Sequence, residues 1–169
     1  HEESTKEPSG FNGRILVEAV RLIASAPETG VSLRLSGIYG SGRRRLVRKV
    51  WNGDATATMS WTNRIHVEDC AGVLHHLMRV HRPAGLYVGS DDEPVTTADV
   101  VTWMSKELCV AEQPPAETSR ANKRCRNARL RESGYIFEYP TFRDGYPEII
   151  REFLSRSDAP GSASSRSDE

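Results

Sequence analysis

The chain has 169 residues, of which 23 are basic and 23 acidic, so its formal net charge is zero; 37% of its residues are hydrophobic. That length suits one domain with a buried core, and the balanced charge argues against nucleic acid or a membrane surface as the main partner. No apolar run approaches the roughly 20 residues that span a bilayer, and the opening HEESTKEPSG lacks the basic and apolar parts of a signal peptide. Cys70, Cys109 and Cys125 are odd in number and form no CxxC pair, which reads as a reducing, cytoplasmic setting with three buried free thiols.

Residues 1–9 are polar and read as irregular. Helical spacing begins near Phe11, placing Ile15, Leu16, Ala19, Leu22 and Ile23 on one face, and Pro27 and Gly30 close that helix. Residues 31–36 read as a strand that runs into LRLSGIYGSGR. There Leu33, Leu35 and Ile38 are apolar, and Gly37, Gly40 and Gly42 let the backbone come close to something else. A short helix is expected over 46–51, ended by Asn52 and Gly53. Residues 55–60 alternate weakly and are a candidate strand, and 64–67 are extended.

Glu68 and Asp69 open the next helix, where negative charge suits the exposed amides and the dipole. Cys70, Val73, Leu74, Leu77 and Met78 make its apolar face. Beyond Pro83 and Gly85, residues 86–89 read as a buried strand and 91–94 as a loop. Thr96 or Thr97 caps a helix whose inner side is Val100, Val101, Met104 and Leu108. Residues 113–119 form a proline-containing loop. Asn127 is expected to cap a short helix that stops at a left-handed Gly134. Residues 135–139 read as extended; Tyr146, Ile149, Ile150 and Phe153 mark a last helix, and 155–169 have the composition of a disordered tail. Alternating strands and helices make the class α/β. The few strands, and the helix that comes first, read as the second half of a fold.

Other patterns are weaker. His66, His75, His76 and His81 lack the i, i+4 spacing that points two imidazoles at one metal ion, so no metal site is expected. The basic runs RRRLVRK and SRANKRCRNARLR are either solvated faces or phosphate contacts. They have no interleaved aromatics, as a nucleic-acid surface would want.

Four stretches, LRLSGIYGSGR, NRIHVEDCAGVLHHLM, LYVGSDDEPVTTADVVTWM and NKRCRNARLRESGY, follow one another in this order. Over roughly residues 4–154 they resemble the C-terminal half of an extended, atypical short-chain dehydrogenase/reductase of the NAD-dependent epimerase/dehydratase family. The resemblance implies that 1–154 is the C-terminal part of a Rossmann-like doubly wound fold with small substrate-binding segments, followed by the tail at 155–169. It implies NAD or NADP as cofactor, with Ser36, Gly37 and Ile38 beside the nicotinamide end. The glycine fingerprint of such proteins lies upstream of the matching region, and Gly37, Gly40 and Gly42 do not replace it.

The family's Tyr-x-x-x-Lys pair falls here on Gly10 and Arg14. Glycine transfers no proton, and arginine stays charged but can hold a ribose or phosphate. By the same resemblance Arg64 grips substrate phosphates, its alternative being an ion pair with Glu68 or Asp69. His66 stands beside it as a proton donor at the mouth of the site, and Lys123 and Arg124 lie at the substrate mouth. Gly37 stands where the family often has a substrate-touching asparagine, which weighs against a nucleotide sugar.

The expected function is an NAD(P)-dependent epimerase, dehydratase or reductase acting on a sugar nucleotide or small carbonyl compound. The alternatives are a non-catalytic NAD(P)-binding sensor or partner-binding module and, last, a basic nucleic-acid-binding module. This stretch alone is expected to bind dinucleotide weakly or not at all, and to associate with itself through an exposed half-sheet.

Overall fold

The computed structural model describes residues 10–25, 30–81, 83–116 and 123–157. The expected irregular start at 1–9, the helix-closing Pro27, residues 117–119 of the proline loop and the tail from 158 lie outside the described residues.

Helix α1 (Phe11–Ser25) is followed by strands β1 (Ser32–Leu35) and β2 (Gly37–Tyr39) and helix α2 (Arg45–Trp51). Strands β3 (Trp61–Thr62) and β4 (Arg64–His66) lead into helix α3 (Val67–Leu77). Strands β5 (Leu86–Gly89) and β6 (Val95–Thr96) precede helices α4 (Thr97–Glu107), α5 (Ala128–Glu132) and α6 (Phe142–Ser157). Strand β1 pairs in parallel with β5, from Ser32 opposite Leu86 to Leu35 opposite Gly89; β2 pairs in parallel with β4; β3 and β6 are antiparallel.

The expected strand at 31–36 therefore continues past its end, but with a different partner. At Ser36 the backbone N–H still donates to Gly89 C=O (2.9 Å), and one residue later Gly37 N–H donates to Asn63 C=O (3.0 Å). A side chain at Gly37 would press its Cβ to 3.0 Å from that same Asn63 oxygen, so the change of partner needs a residue without one. Residues 55–60 are not a strand; among the described residues they make one isolated bridge, Thr58 to Ala116. Residues 135–139 belong to no strand, and α6 continues through Ser157, past the expected start of the tail.

Two apolar clusters form the core. One gathers Val47 and Val50 of α2, Val100, Val101 and Met104 of α4, and Phe142, Tyr146 and Ile149 of α6. The other packs Ile65 of β4, Val73 and Leu77 of α3, Tyr87 of β5, Leu130 of α5 and Phe137. Helix α4 begins as its sequence suggests: Thr96 Oγ1 accepts from Asp99 N–H (3.1 Å), and the Asp99 carboxylate accepts from Thr96 N–H (2.9 Å) in a reciprocal capping box. Gly134 sits at φ +92° where α5 stops. Asn127 flanks α5 but makes no side-chain cap; its amide donates elsewhere. Of the cysteines only Cys70 is buried, whereas Cys109 is exposed and Cys125 half-buried, a correction to the expectation of three buried thiols. Helix α1 forms as its spacing predicts, but none of its residues is buried, with Phe11 69% and Leu22 64% exposed. Among the described residues no helix is long and apolar enough to cross a membrane.

The two halves of the chain are fastened at Asp69. Its carboxylate is fully buried in the first turn of α3. It accepts from the Tyr135 hydroxyl (2.8 Å), Glu138 N–H (2.9 Å) and Tyr139 N–H (3.0 Å). Gly72, one turn along, makes room: a Cβ there would lie 2.4 Å from the Tyr135 hydroxyl.

Asp69→Ala should strand three donors and cost about 3 kcal/mol in urea unfolding, against about 1 kcal/mol for Tyr135→Phe. Gly72→Ala gains about 1 kcal/mol of helix propensity but displaces Tyr135, so it should destabilise the wild-type chain. That cost should shrink in the Tyr135→Phe background, as a double-mutant cycle would measure.

Candidate functional site

Asn63 joins the segments that the sequence marks as functional. Its backbone C=O receives Gly37 N–H. Its side-chain Nδ2 donates to Lys123 C=O (2.7 Å), and its Oδ1 accepts from Cys125 N–H (2.7 Å). An amide side chain carries one donor and one acceptor side by side, as a peptide does, so Asn63 takes the place of a strand neighbour for residues 123–125. The SGIY turn and the NKR segment are thereby held beside each other. Sequence reasoning did not single out Asn63; the signal was an asparagine directly preceding a buried three-residue strand.

Ser36 is half-buried, and its hydroxyl oxygen is buried with no hydrogen-bond partner among the described residues. Gly37 has its N–H committed to Asn63. Ile38 lines a cleft of about 630 Å³ together with Tyr39, Gly42 and the basic run from Arg43 to Lys49. Arg43, Arg44, Arg45, Arg48 and Lys49 all line this cleft, and none of the five forms an ion pair with an acid among the described residues. Arg14 is exposed on α1 and lines neither this cleft nor the second cavity.

Arg64 is buried opposite Gly37 in the β2–β4 register. Its C=O accepts from Asp91 N–H (2.6 Å) and Ser90 Oγ (3.3 Å). Its charge lies close enough to the Tyr146 hydroxyl to pull that group's pKa down against the effect of burial, and its Nη1 is buried with no partner among the described residues. The alternative ion pair with Glu68 or Asp69 is not formed: the Asp69 oxygens are taken by the 135–139 segment. His66 is buried as the N-cap of α3, with Nδ1 accepting from Glu68 N–H (3.3 Å). Its ring lies 3.7 Å from that of Tyr139 and edge-on to Tyr39. Burial holds its pKa below the usual imidazole value, which suits the neutral, accepting nitrogen the cap requires. It lines neither cavity, so the structure places it beneath the site and not at its mouth.

Lys123 is exposed. Arg124 lays its guanidinium over the Trp61 ring (4.8 Å) and lines a second cavity of about 370 Å³ with Asp91, Asp92, Cys125 and Arg126. Asp92 is fully engaged there, accepting from Asn127 Nδ2 (2.7 Å) and Arg131 (2.5 Å). Asp91 is not: it is 3% exposed, and among the described residues neither carboxylate oxygen makes a well-formed hydrogen bond. Burial pushes its pKa up to about 7, against the pull of the Arg64 charge and the Glu93 backbone N–H. Among the described residues no three of His, Cys, Asp and Glu come together to hold a metal ion.

Since the folded-state pKa of Asp91 lies above its ordinary 3.8, the folded chain holds this proton more tightly than the unfolded one. The contribution of Asp91 to stability therefore falls as pH rises from about 4 to 7. Denaturant unfolding of wild type and Asp91→Asn at pH 5 and pH 8 should show the variant gaining on wild type at the higher pH.

No family model and no curated protein sequence matches the chain. Solved structures do. A Methylobacillus flagellatus protein assigned as an NAD-dependent epimerase/dehydratase is similar over 91% of this chain and 58% of its own, at 32% identity and a TM-score of 0.76. A conserved protein of unknown function from Silicibacter pomeroyi is 29% identical over 87% of this chain and 57% of its own, with a TM-score of 0.70. The human epimerase family protein SDR39U1, isoform 2, solved with NADPH, shares the fold at 17% identity and a TM-score of 0.72, over 89% of this chain and 59% of its own. The chain thus spans somewhat more than half the length of the structures it matches. It is similar to NAD-dependent epimerase/dehydratase structures, and its mixed helices and parallel strand pairs form a partial Rossmann-like α/β fold, as the resemblance to the C-terminal half of an atypical short-chain dehydrogenase/reductase implies.

Proposed function

We propose that the chain forms the ligand-facing part of an NAD(P)-dependent epimerase, dehydratase or reductase-type protein, and that a phosphate-bearing ligand lies along the turn at 38–42. The observation that carries this reading is the cleft at Ile38, where five cations without acidic partners among the described residues surround one turn of backbone. NAD or NADP would fit this wall. The open space above Gly42, where a Cβ would meet nothing within 4 Å, leaves room for it. When bound, the nicotinamide would donate or accept a hydride.

In this reading Ser36, Gly37 and Ile38 line the nicotinamide end, and Arg14 meets a ribose or phosphate. Arg64, His66, Lys123 and Arg124 serve the substrate side. Arg64 and His66 act there from below: Arg64 through its charge near Tyr146, which lines the cleft, and His66 through its ring contact with Tyr39. Lys123 and Arg124 act directly, from the surface. A nucleotide-linked substrate suits the cations, and similar structures include a UDP-N-acetylglucosamine 4-epimerase from Bacillus cereus. A non-catalytic NAD(P)-binding role is the second reading, favoured by Gly10 and Arg14 at the register positions of the proton-transfer pair.

Isothermal titration of the 169-residue chain with NADPH and with UDP-N-acetylglucosamine tests the cleft. At least one should bind, with affinity that falls as salt rises. The double variant Arg43→Glu/Arg44→Glu should weaken it about tenfold or more, a change of about 1.4 kcal/mol. Absence of binding by both at millimolar concentration, or an unchanged affinity in the variant, would overturn the proposal. Binding of NADPH with no substrate-dependent change in nicotinamide absorbance across a panel of sugar nucleotides and carbonyl compounds would favour the second reading.

A further inference from the structure

Ser41 stands at the tip of the turn that follows β2. Its neighbours are Gly40 at φ +141° and Gly42 at φ +77°, and Arg43 N–H closes the turn on Gly40 C=O (3.0 Å). Flanked by two residues without side chains, Ser41 is exposed. The backbone N–H groups of Ser41 and Gly42 meet no backbone carbonyl among the described residues. A hydroxyl and two adjacent N–H groups, next to a run of cations, are the donors an oxyanion takes.

The Ser41 hydroxyl is already engaged. It donates to the carboxylate of Glu152 on α6, at 3.3 Å to Oε1 and 3.5 Å to Oε2. Glu152 forms no ion pair among the described residues, although the cations of the cleft lie on the same side of the turn. An acid at the rim of a basic run would be expected on a cation; this one sits on a hydroxyl. A serine hydroxyl has a single proton to give, so it cannot serve Glu152 and a ligand oxyanion together. The carboxylate also opposes, by its charge, any anion that comes to the turn. Its bond to Ser41 is long and exposed, and a contact of that kind contributes little. A phosphate oxygen backed by the Arg43–Lys49 run can therefore displace it.

We propose that Glu152 is a built-in competitor at this turn: in the free chain it holds the Ser41 hydroxyl, and a ligand phosphate takes that hydroxyl from it. The proposal rests on the reading of the turn at 38–42 as the place of a phosphate-bearing ligand. It adds a hydroxyl that joins the ligand and an acid that opposes it, and so sets how tightly an anion is held.

The test is isothermal titration of the 169-residue chain with inorganic pyrophosphate and with NADPH. Glu152→Ala frees the hydroxyl and removes the charge, and should tighten pyrophosphate about fivefold. Glu152→Gln removes the charge but keeps an acceptor for Ser41, so its gain should be smaller, about twofold. Ser41→Ala should weaken binding about threefold, and in that background Glu152→Ala should gain no more than Glu152→Gln does alone. NADPH, if it is the ligand of this turn, should follow the same order. An affinity unchanged or lowered in Glu152→Ala, or an equal gain from Glu152→Ala with and without Ser41, overturns the proposal. Binding that depends on Arg43 and Arg44 and ignores Glu152 leaves the broader functional reading standing without this one, whereas binding by neither wild type nor any variant removes both.

Discussion

The buried carboxylate of Asp69 is the constraint on which the arrangement turns. A charged side chain with no solvent exposure is tolerable only where donors surround it. Here a phenol and two backbone N–H groups do so, at the amino end of a helix whose dipole also favours negative charge. Those donors all come from residues 135–139, a stretch with no strand or helix of its own. The carboxylate therefore does for that stretch what a sheet ladder would do. It sets Phe137 into the second apolar cluster and Tyr139 against the His66 ring.

From this fastening follows the state of His66. With Tyr39 and Tyr139 against its ring and its Nδ1 accepting at the start of α3, the imidazole is dry and neutral. Gly145 contributes by absence, since a Cβ there would come within 2.7 Å of the Tyr39 ring and 3.0 Å of His66. The aromatic group of Tyr39, His66, Tyr139 and Tyr146 thus forms a floor, with the charges of Arg64 and Asp91 close to Tyr146. Cations that lack acids gather outside that floor, on α2 and on the 123–127 segment. A chain with equal numbers of acids and bases still presents separate basic surfaces, because its acids are spent on caps and clamps: Asp99 on Thr96, Asp144 on Thr141, Asp69 on Tyr135.

Much of this was legible in the residues. The strand at 86–89 appears with the bounds its apolar run suggests, the helix at 46–51 begins one residue earlier, and Thr96 caps α4. These are local effects of periodicity and capping chemistry. Features that depend on distant partners were not legible. Periodicity cannot show that the strand through Ser36 exchanges β5 for β4, because both halves remain extended. It cannot show that 55–60 and 135–139 find non-ladder partners, or that Asn127 donates to Ser90 and Asp92 in place of its own helix. The sequence marks Arg64 and His66 as substrate-side residues, but their burial is set by what packs over them, and no motif encodes that.

The register of the first ladder has a kinetic side. Ser32 faces Leu86, and Leu35 faces Gly89, across a long excursion that contains α2, β3, β4 and α3. Bringing such remote stretches together carries a loop-closure entropy that local helices escape. The helices can gain structure early, while the parallel ladders must wait until the intervening chain has collapsed. The rate at which the molecule reaches its final state is then governed by the meeting of β1 and β5, and by how soon Asp69 captures the segment that follows them.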